Sequence, residues 1–250
     1  MQIVTPGLVL REVKVGEADR ILHLLCPGLG LVSATAKGSL RLKSKLFSGC
    51  GLFCYSEFTL YEGRSMYRVD EAQVKNTFFG LRQSVEGMAL AMYLAEMTAS
   101  LAPTGKEADD LLRLLLNSLY LISENKKPLD QIKAVFELRA ISEAGYLPAL
   151  LCCRDCSRYE GGAFYLDPEE GYLLCEDCAA KASRRPNLDA AALTATRHIA
   201  LVEDKRIFSF TLAPASMKRL AQVTELYAAR HMDKPLKSLE FLKGVWQEPT

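Results

Sequence analysis

The chain has 250 residues, of which 49% are hydrophobic and 24% charged; this is the composition of a folded globular protein, not of a disordered or collagen-like one. Its 31 basic and 30 acidic side chains leave a formal net charge of +1, so any site for a polyanion must come from local clustering. The opening MQIVTPGLVLREVKV lacks a basic stretch followed by an apolar core, and no apolar run approaches 18 residues. No secretory leader or membrane-spanning helix is therefore expected, and a cytoplasmic protein is the default expectation.

The first 75 residues read as strands. Leu8 to Val15 is extended, Arg20 to Cys26 follows, and Pro27, Gly28 and Gly30 turn the chain into a third strand, Leu31 to Ala36. The segment Lys37 to Lys45 carries four positive charges and no negative one. From Leu52 to Tyr61 the residues alternate, as on a pleated, half-buried surface. Glu62-Gly63-Arg64 turns that strand into a fifth, Met66 to Val74. Five short strands with tight turns suggest a small barrel such as an OB-fold, although spacing alone does not establish closure.

The character changes near residue 76. Leu81 to Leu101 is rich in Ala, Leu, Met and Glu, which favour a helix, and Pro103 and Gly105 end it. Ala108 to Ser123 predicts a second helix, with Leu112, Leu115, Leu116, Leu119 and Ile122 on one stripe. Asp130 to Ala144 predicts a third, capped at Gly145. Later helices are expected at 190–202 and 215–231, with an irregular stretch at 204–211 and a short helix in the tail.

Of the eight cysteines, five lie within residues 152–178, a clustering that points to metal and not to a disulfide framework. Cys153-Arg-Asp-Cys156 and Cys175-Glu-Asp-Cys178 form C-x2-C-x18-C-x2-C. The spacer, with Gly161, Gly162, Pro168 and Gly171, fits two short strands that return the second pair to the first. Four thiolates around one zinc ion close its coordination sphere, so the metal is expected to be structural, one Zn2+ per chain. Cys152 is a competing ligand, but only Cys153 leaves a two-residue spacer to Cys156. Cys26, Cys50 and Cys54 read as buried small hydrophobes or loop thiols.

Motifs of catalysis are missing: there is no H-E-x-x-H, no G-x-S-x-G and no complete phosphate loop around Thr104-Gly-Lys106. From Arg20 to Ser56 there is no acidic residue. If extended, Arg41, Lys43 and Lys45 share one face, and Arg64 and Arg68 on the last hairpin can join them. Such a surface on a barrel is a groove for nucleic acid, with Tyr55, Phe58, Tyr61 and Tyr67 available for stacking. The competing reading is a solvated loop.

The segments Leu8-Val-Leu10, Gly16-Glu-Ala-Asp-Arg20, Ala36-Lys-Gly38 with its basic run, Phe136-Glu-Leu-Arg139 with Gly145-Tyr146, the two cysteine pairs, and Lys234-Pro-Leu-Lys-Ser238 with Glu240-Phe241-Leu242 together carry a resemblance. In order and spacing, over nearly the whole chain, they resemble the bacterial DNA repair family RecO. The resemblance implies an α+β multidomain fold: a five-stranded OB-fold DNA-binding domain at 1–78, and a helical domain at 79–250 with an inserted four-cysteine zinc ribbon at 150–180. It implies a non-enzymatic mediator, nucleoid-associated when active. Such a protein binds single- and double-stranded DNA, anneals complementary strands and, with RecR, helps load the RecA recombinase onto strands coated by single-strand-binding protein. Arg20, Lys37, Arg41, Lys43, Lys45, Arg64 and Arg68 are the expected DNA contacts, and Cys153, Cys156, Cys175 and Cys178 the zinc ligands. The acidic, apolar-tipped tail of single-strand-binding protein needs a cation beside an apolar pocket. Lys126, Lys127, Lys133 and Arg139 are the candidates. Arg139 lies within an apolar stripe, so it is either that cation or a buried ion-pair partner of Glu143 or Glu96. Two rival readings are a zinc-stabilised protein–protein adaptor with an incidental basic loop, and a metal-dependent nuclease or hydrolase.

Overall fold

The computed structural model describes residues 1–247. Five strands, β1 (Gln2–Val15), β2 (Asp19–Cys26), β3 (Gly30–Ala36), β4 (Tyr55–Tyr61) and β5 (Tyr67–Asn76), pair in the ring β1-β2-β3-β5-β4 and back to β1. The ring is thinnest at β3–β5, a parallel seam of two residue pairs, Ala34 with Tyr67 and Thr35 with Arg68. β1 serves two neighbours: its first half pairs with β4 and its second with β2, with a register shift between Val9 and Arg11. A shift of this kind bends a strand and lets it turn a barrel corner. The residues before Leu8 join this strand although Pro6, a residue that argues against a strand interior, stands among them.

Alternation sends Leu22, Leu24, Val32, Ala34, Phe58, Leu60 and Val69 into the barrel. The same parity carries Arg20 inward. The long β3–β4 connection covers this interior, adding Leu46, Cys50 and Cys54 to the core. It is built from successive tight turns, with Arg41 N–H donating to Gly38 C=O, Ser44 to Arg41 and Phe47 to Ser44. The extended run that would align Arg41, Lys43 and Lys45 is therefore not formed. β4 starts at Tyr55 and not at Leu52, because Phe53 adopts a left-handed φ of 60° and breaks the extension.

The chain divides into two compact units, one of residues 1–124 with the segment from Leu236 onward, the other Asn125–Pro235. Within the first unit, the barrel is joined by α1 (Val85–Leu101), α2 (Asp109–Ser123) and α7 (Lys237–Gln247). α1 starts after Ser84, whose hydroxyl caps the Gly87 N–H at 2.9 Å; the residues from Phe79 to Gln83 form a separate 3-10 turn. α7 packs on α1, burying Leu242 and placing Ser238 N–H 2.8 Å from Glu96 Oε2.

The second unit holds α3 (Leu129–Glu143), β6 (Ala149–Cys153), β7 (Ala163–Leu166), β8 (Tyr172–Cys175), α4 (Glu176–Lys181), β9 (Leu188–Asp189), α5 (Ala190–Leu201) and α6 (Pro214–His231). α3 is buried on every side from Gln131 to Leu138 and packs against α5 and α6. Gly145 ends it at φ 103°, and Tyr146 N–H returns to Ile141 C=O at 3.1 Å, a Schellman closure. The short sheet runs β6-β8-β7-β9. β7 and β8 are the two strands that the cysteine spacer called for.

Candidate nucleic-acid surface and metal centre

The β3–β4 connection presents its cations at one end of the barrel. Lys37, Arg41 and Lys43 are exposed and make no ion pair among the described residues. Leu42, between two of them, is 84% exposed. Arg68 is opposite Thr35 in the seam, two residues from Lys37, and its guanidinium lies 5.3 Å from the centroid of the Tyr61 ring. Arg64 is exposed in the turn that leads into this seam. Lys45 differs: its Nζ is 3.2 Å from Glu71 and 4.0 Å from Asp70, so much of its charge is answered within the protein.

Arg20, expected among the DNA contacts, does not belong to this exposed set. It is 7% exposed, with Nε 3.1 Å from Glu12 Oε2 and the guanidinium 5.9 Å from the Phe47 ring centroid. Its parity with Leu22 and Leu24 on β2 was the available signal. Lys14 was missed by the sequence reasoning. It is exposed on β1 in register with Arg20, and a single lysine in a strand gives no motif. Of the four aromatic residues considered for stacking, Phe58 is fully in the core, while Tyr55, Tyr61 and Tyr67 are half-buried.

In the second unit, Cys153 at the end of β6, Cys156 in the following turn, Cys175 at the end of β8 and Cys178 in α4 converge, with all four Sγ atoms within 4.8 Å of one another. Cys156 and Cys175 are 3.5 Å apart. A tetrahedron of thiolates at zinc distance has edges of about 3.8 Å, so one small metal ion fits the set. The first knuckle closes through Ser157, at a left-handed φ of 58°, whose N–H reaches Cys153 C=O at 2.9 Å. Burial opposes ionisation of Cys153, but backbone N–H groups of Cys175, Cys156 and Asp155 outweigh it and bring the thiol to about 6. Cys152, half-buried, lies outside the cluster. Arg158 pairs with Asp177 at 2.8 Å, and Arg154 stacks 3.4 Å from the centroid of the Tyr172 ring. Burial pushes the Cys26 and Cys50 thiols up to about 12, as suits inert core residues.

The residues considered for a partner tail divide differently from the sequence reading. Lys133 is 3% exposed and lies 2.6 Å from Glu137 and 2.7 Å from Glu225. Arg139 pairs with Glu143 at 2.9 Å and Asp204 at 2.7 Å, and Nη1 also reaches the carbonyls of Ile199, Ala200 and Val202. Glu96, the other acid considered for it, accepts from Ser238. Lys126 is exposed and Lys127 half-buried in the turn after α2. No helix among the described residues is long and apolar enough to cross a membrane.

These features define an α+β protein with a cation-bearing barrel and a thiolate-lined metal centre on separate units. Family models described as "Recombination protein O N terminal" and "Recombination protein O C terminal" match residues 1–78 and 82–240. "DNA repair protein RecO" of Acetivibrio thermocellus is 32% identical over 241 residues, 96% of each chain. The protein of the same name from Alkaliphilus metalliredigens is 30% identical over 246 residues, covering 98% of this chain and 100% of that one. A third, from Dehalococcoides mccartyi, is 34% identical over 175 residues, 70% of this chain and 69% of its own. The chain belongs to the RecO family of DNA repair proteins.

Proposed function

We propose that this chain is a recombination mediator. It binds single- and double-stranded DNA, anneals complementary strands and, with RecR, helps load RecA onto strands coated by single-strand-binding protein. The observation that carries the DNA part is the exposed trio Lys37, Arg41 and Lys43, free of carboxylate partners among the described residues, on a barrel whose family is one of DNA repair. Two strands repel each other through their phosphates. Cations held on a folded surface neutralise both and raise their local concentration, and each contact releases condensed counterions, so binding weakens steeply with salt. Phosphate contacts carry no sequence information, so recognition is sequence-tolerant. Tyr61, under Arg68, offers a ring edge for an unpaired base. Annealing needs no bond to be broken, and the chain acts without hydrolysis, in the cytoplasm and on the nucleoid. We assign the 1–78 segment as the DNA-binding domain and the remainder as the helical domain carrying the metal ribbon.

The metal is zinc, held by Cys153, Cys156, Cys175 and Cys178. Four thiolates suit zinc, and their closed set leaves no position for a substrate. Its contribution is to the folding of a short sheet with little core of its own. Lys126 and Lys127 remain the candidates for the tail of single-strand-binding protein, since Lys133 and Arg139 are engaged inside the second unit.

The deciding experiment is annealing of complementary strands pre-coated with single-strand-binding protein, comparing the wild-type chain with Lys37→Glu/Arg41→Glu/Lys43→Glu. Loss of most annealing in the triple variant is expected. Annealing at the wild-type rate favours the adaptor reading, and degraded strands in the presence of divalent ions favour the hydrolase.

A further inference from the structure

The residues that open β2 touch the basic loop at three places. Ala18 C=O accepts from Leu40 N–H at 2.9 Å. Asp19 Oδ1 accepts from Gly38 N–H at 2.7 Å. The Arg20 guanidinium lies 5.9 Å from the Phe47 ring centroid. These ties bracket Lys37, Arg41 and Lys43. Between them the loop has no strand or helix, only the single-turn hydrogen bonds already described. Gly38 has φ 67°, a conformation glycine adopts without strain, and this turns its N–H onto the carboxylate. A charge-assisted bond of this length is among the strongest single ties available to such a loop.

By charge alone, Asp19 is a defect in a phosphate-binding surface: it stands one hydrogen bond away from the residue after Lys37 and repels the ligand. We propose that Asp19 is a positioning residue of the DNA site, whose carboxylate holds the basic loop in its binding shape through the Gly38 amide, and whose value as an acceptor outweighs its charge. This rests on the DNA reading given above. It makes binding depend on the acceptor at position 19 and not on the sign of the charge there.

Three variants of the full chain separate the two quantities. Asp19→Asn removes the charge and keeps a carbonyl acceptor of the same reach. Asp19→Glu keeps the charge and moves the carboxylate out of place. Asp19→Ala removes both. With a labelled single-stranded oligonucleotide of mixed sequence, Asp19→Ala and Asp19→Glu are expected to bind on the order of tenfold more weakly, and Asp19→Asn as tightly as the wild type or a few-fold more tightly. Tighter binding by both Asp19→Ala and Asp19→Asn, with Asp19→Glu unchanged, overturns the proposal, and so does equal weakening in all three. Hydrogen exchange at the Gly38 amide gives an independent readout: it is expected to speed up in Asp19→Ala and Asp19→Glu and to stay slow in Asp19→Asn. If the wild-type chain does not bind the oligonucleotide, the DNA reading falls. The exchange comparison still decides the clasp: equal rates in all three variants overturn it.

Discussion

Arg139 and Asp204 meet at 2.7 Å, tying α3 to the turn that follows α5. The same guanidinium donates to Glu143 and to three carbonyls at the end of α5, so a single side chain both neutralises two acids and caps a helix. Arg139→Met leaves those groups without a donor and is expected to destabilise the second unit by about 3 kcal/mol. Arg139→Lys recovers only part of this, because an ammonium lacks the planar fork. Denaturant unfolding of the two variants checks it; an unchanged midpoint for Arg139→Met contradicts a structural role.

The cations of the barrel differ in what they have left to offer a phosphate. Lys43→Ala is expected to lower the slope of log affinity against log salt by about 1, measured by fluorescence titration. Lys45→Ala is expected to lower it less, since Glu71 and Asp70 already answer that charge. Arg20→Met is expected to lower the melting temperature and leave the slope nearly unchanged. A slope loss from Arg20→Met equal to that from Lys43→Ala would mean that the buried guanidinium swings out to the ligand.

Cys153→Ser is expected to abolish stoichiometric zinc, seen by metal analysis, and to unfold the short sheet, seen as protease cleavage between residues 150 and 180. Cys152→Ser is expected to retain the metal, because its sulfur is not in the cluster. Strong chelation should reproduce the first phenotype in the wild type. Full metal content in Cys153→Ser removes the ligand assignment.

Cys26 and Cys50, with thiols pushed up to about 12 from an ordinary value of 9, are expected to resist alkylation at pH 8 until the barrel unfolds. The pH dependence has a definite sign. Between 9 and 12 the unfolded thiols have lost their protons and the folded ones have kept them, so the unfolded state binds fewer protons and stability falls as pH rises through that window. Mass spectrometry of alkylated peptides and melting curves from pH 8 to 11 test both statements. Rapid native labelling of Cys26 contradicts them.

Gly30 has φ 66°, and a β-carbon built on it would lie 2.0 Å from the Pro103 carbonyl oxygen. Leu31 N–H donates to that same oxygen at 2.9 Å, so the neighbour cannot yield without breaking a bond. Gly30→Ala is expected to destabilise the first unit by more than about 2 kcal/mol, measured by thermal denaturation.

What the sequence made legible followed local spacing. The pairs Cys153/Cys156 and Cys175/Cys178 declared a metal knuckle because two-residue spacers are a local geometric constraint. β3 and β4 declared themselves by period-two alternation, and α2 by its leucine stripe. The misreadings share one cause, which is that pairing across the chain overrode a local pattern. The alternation Arg41, Lys43, Lys45 mimics a strand, yet the loop turns because it must cover the barrel with Leu46 and Cys50. The acids that answer Lys45 stand at Asp70 and Glu71, a strand away. Lys133 looked like a surface cation until α3 proved to be enclosed on all sides, although Glu137 one turn later was a readable partner. Asp19 lies just outside the acid-free stretch and so was left out of a reading based on charge.

The first compact unit is discontinuous in the chain: α7 belongs to it, and the 111 residues from Asn125 to Pro235 lie between. During synthesis the barrel, α1 and α2 therefore leave the ribosome long before the helix that caps α1. For that interval the Glu96 carboxylate and the apolar side of α1 wait for Ser238 and Leu242, which are among the last residues translated. A nascent chain arrested anywhere before residue 236 displays a sticky, incomplete first unit. Chaperone engagement should thus be concentrated in that window and end when the tail docks.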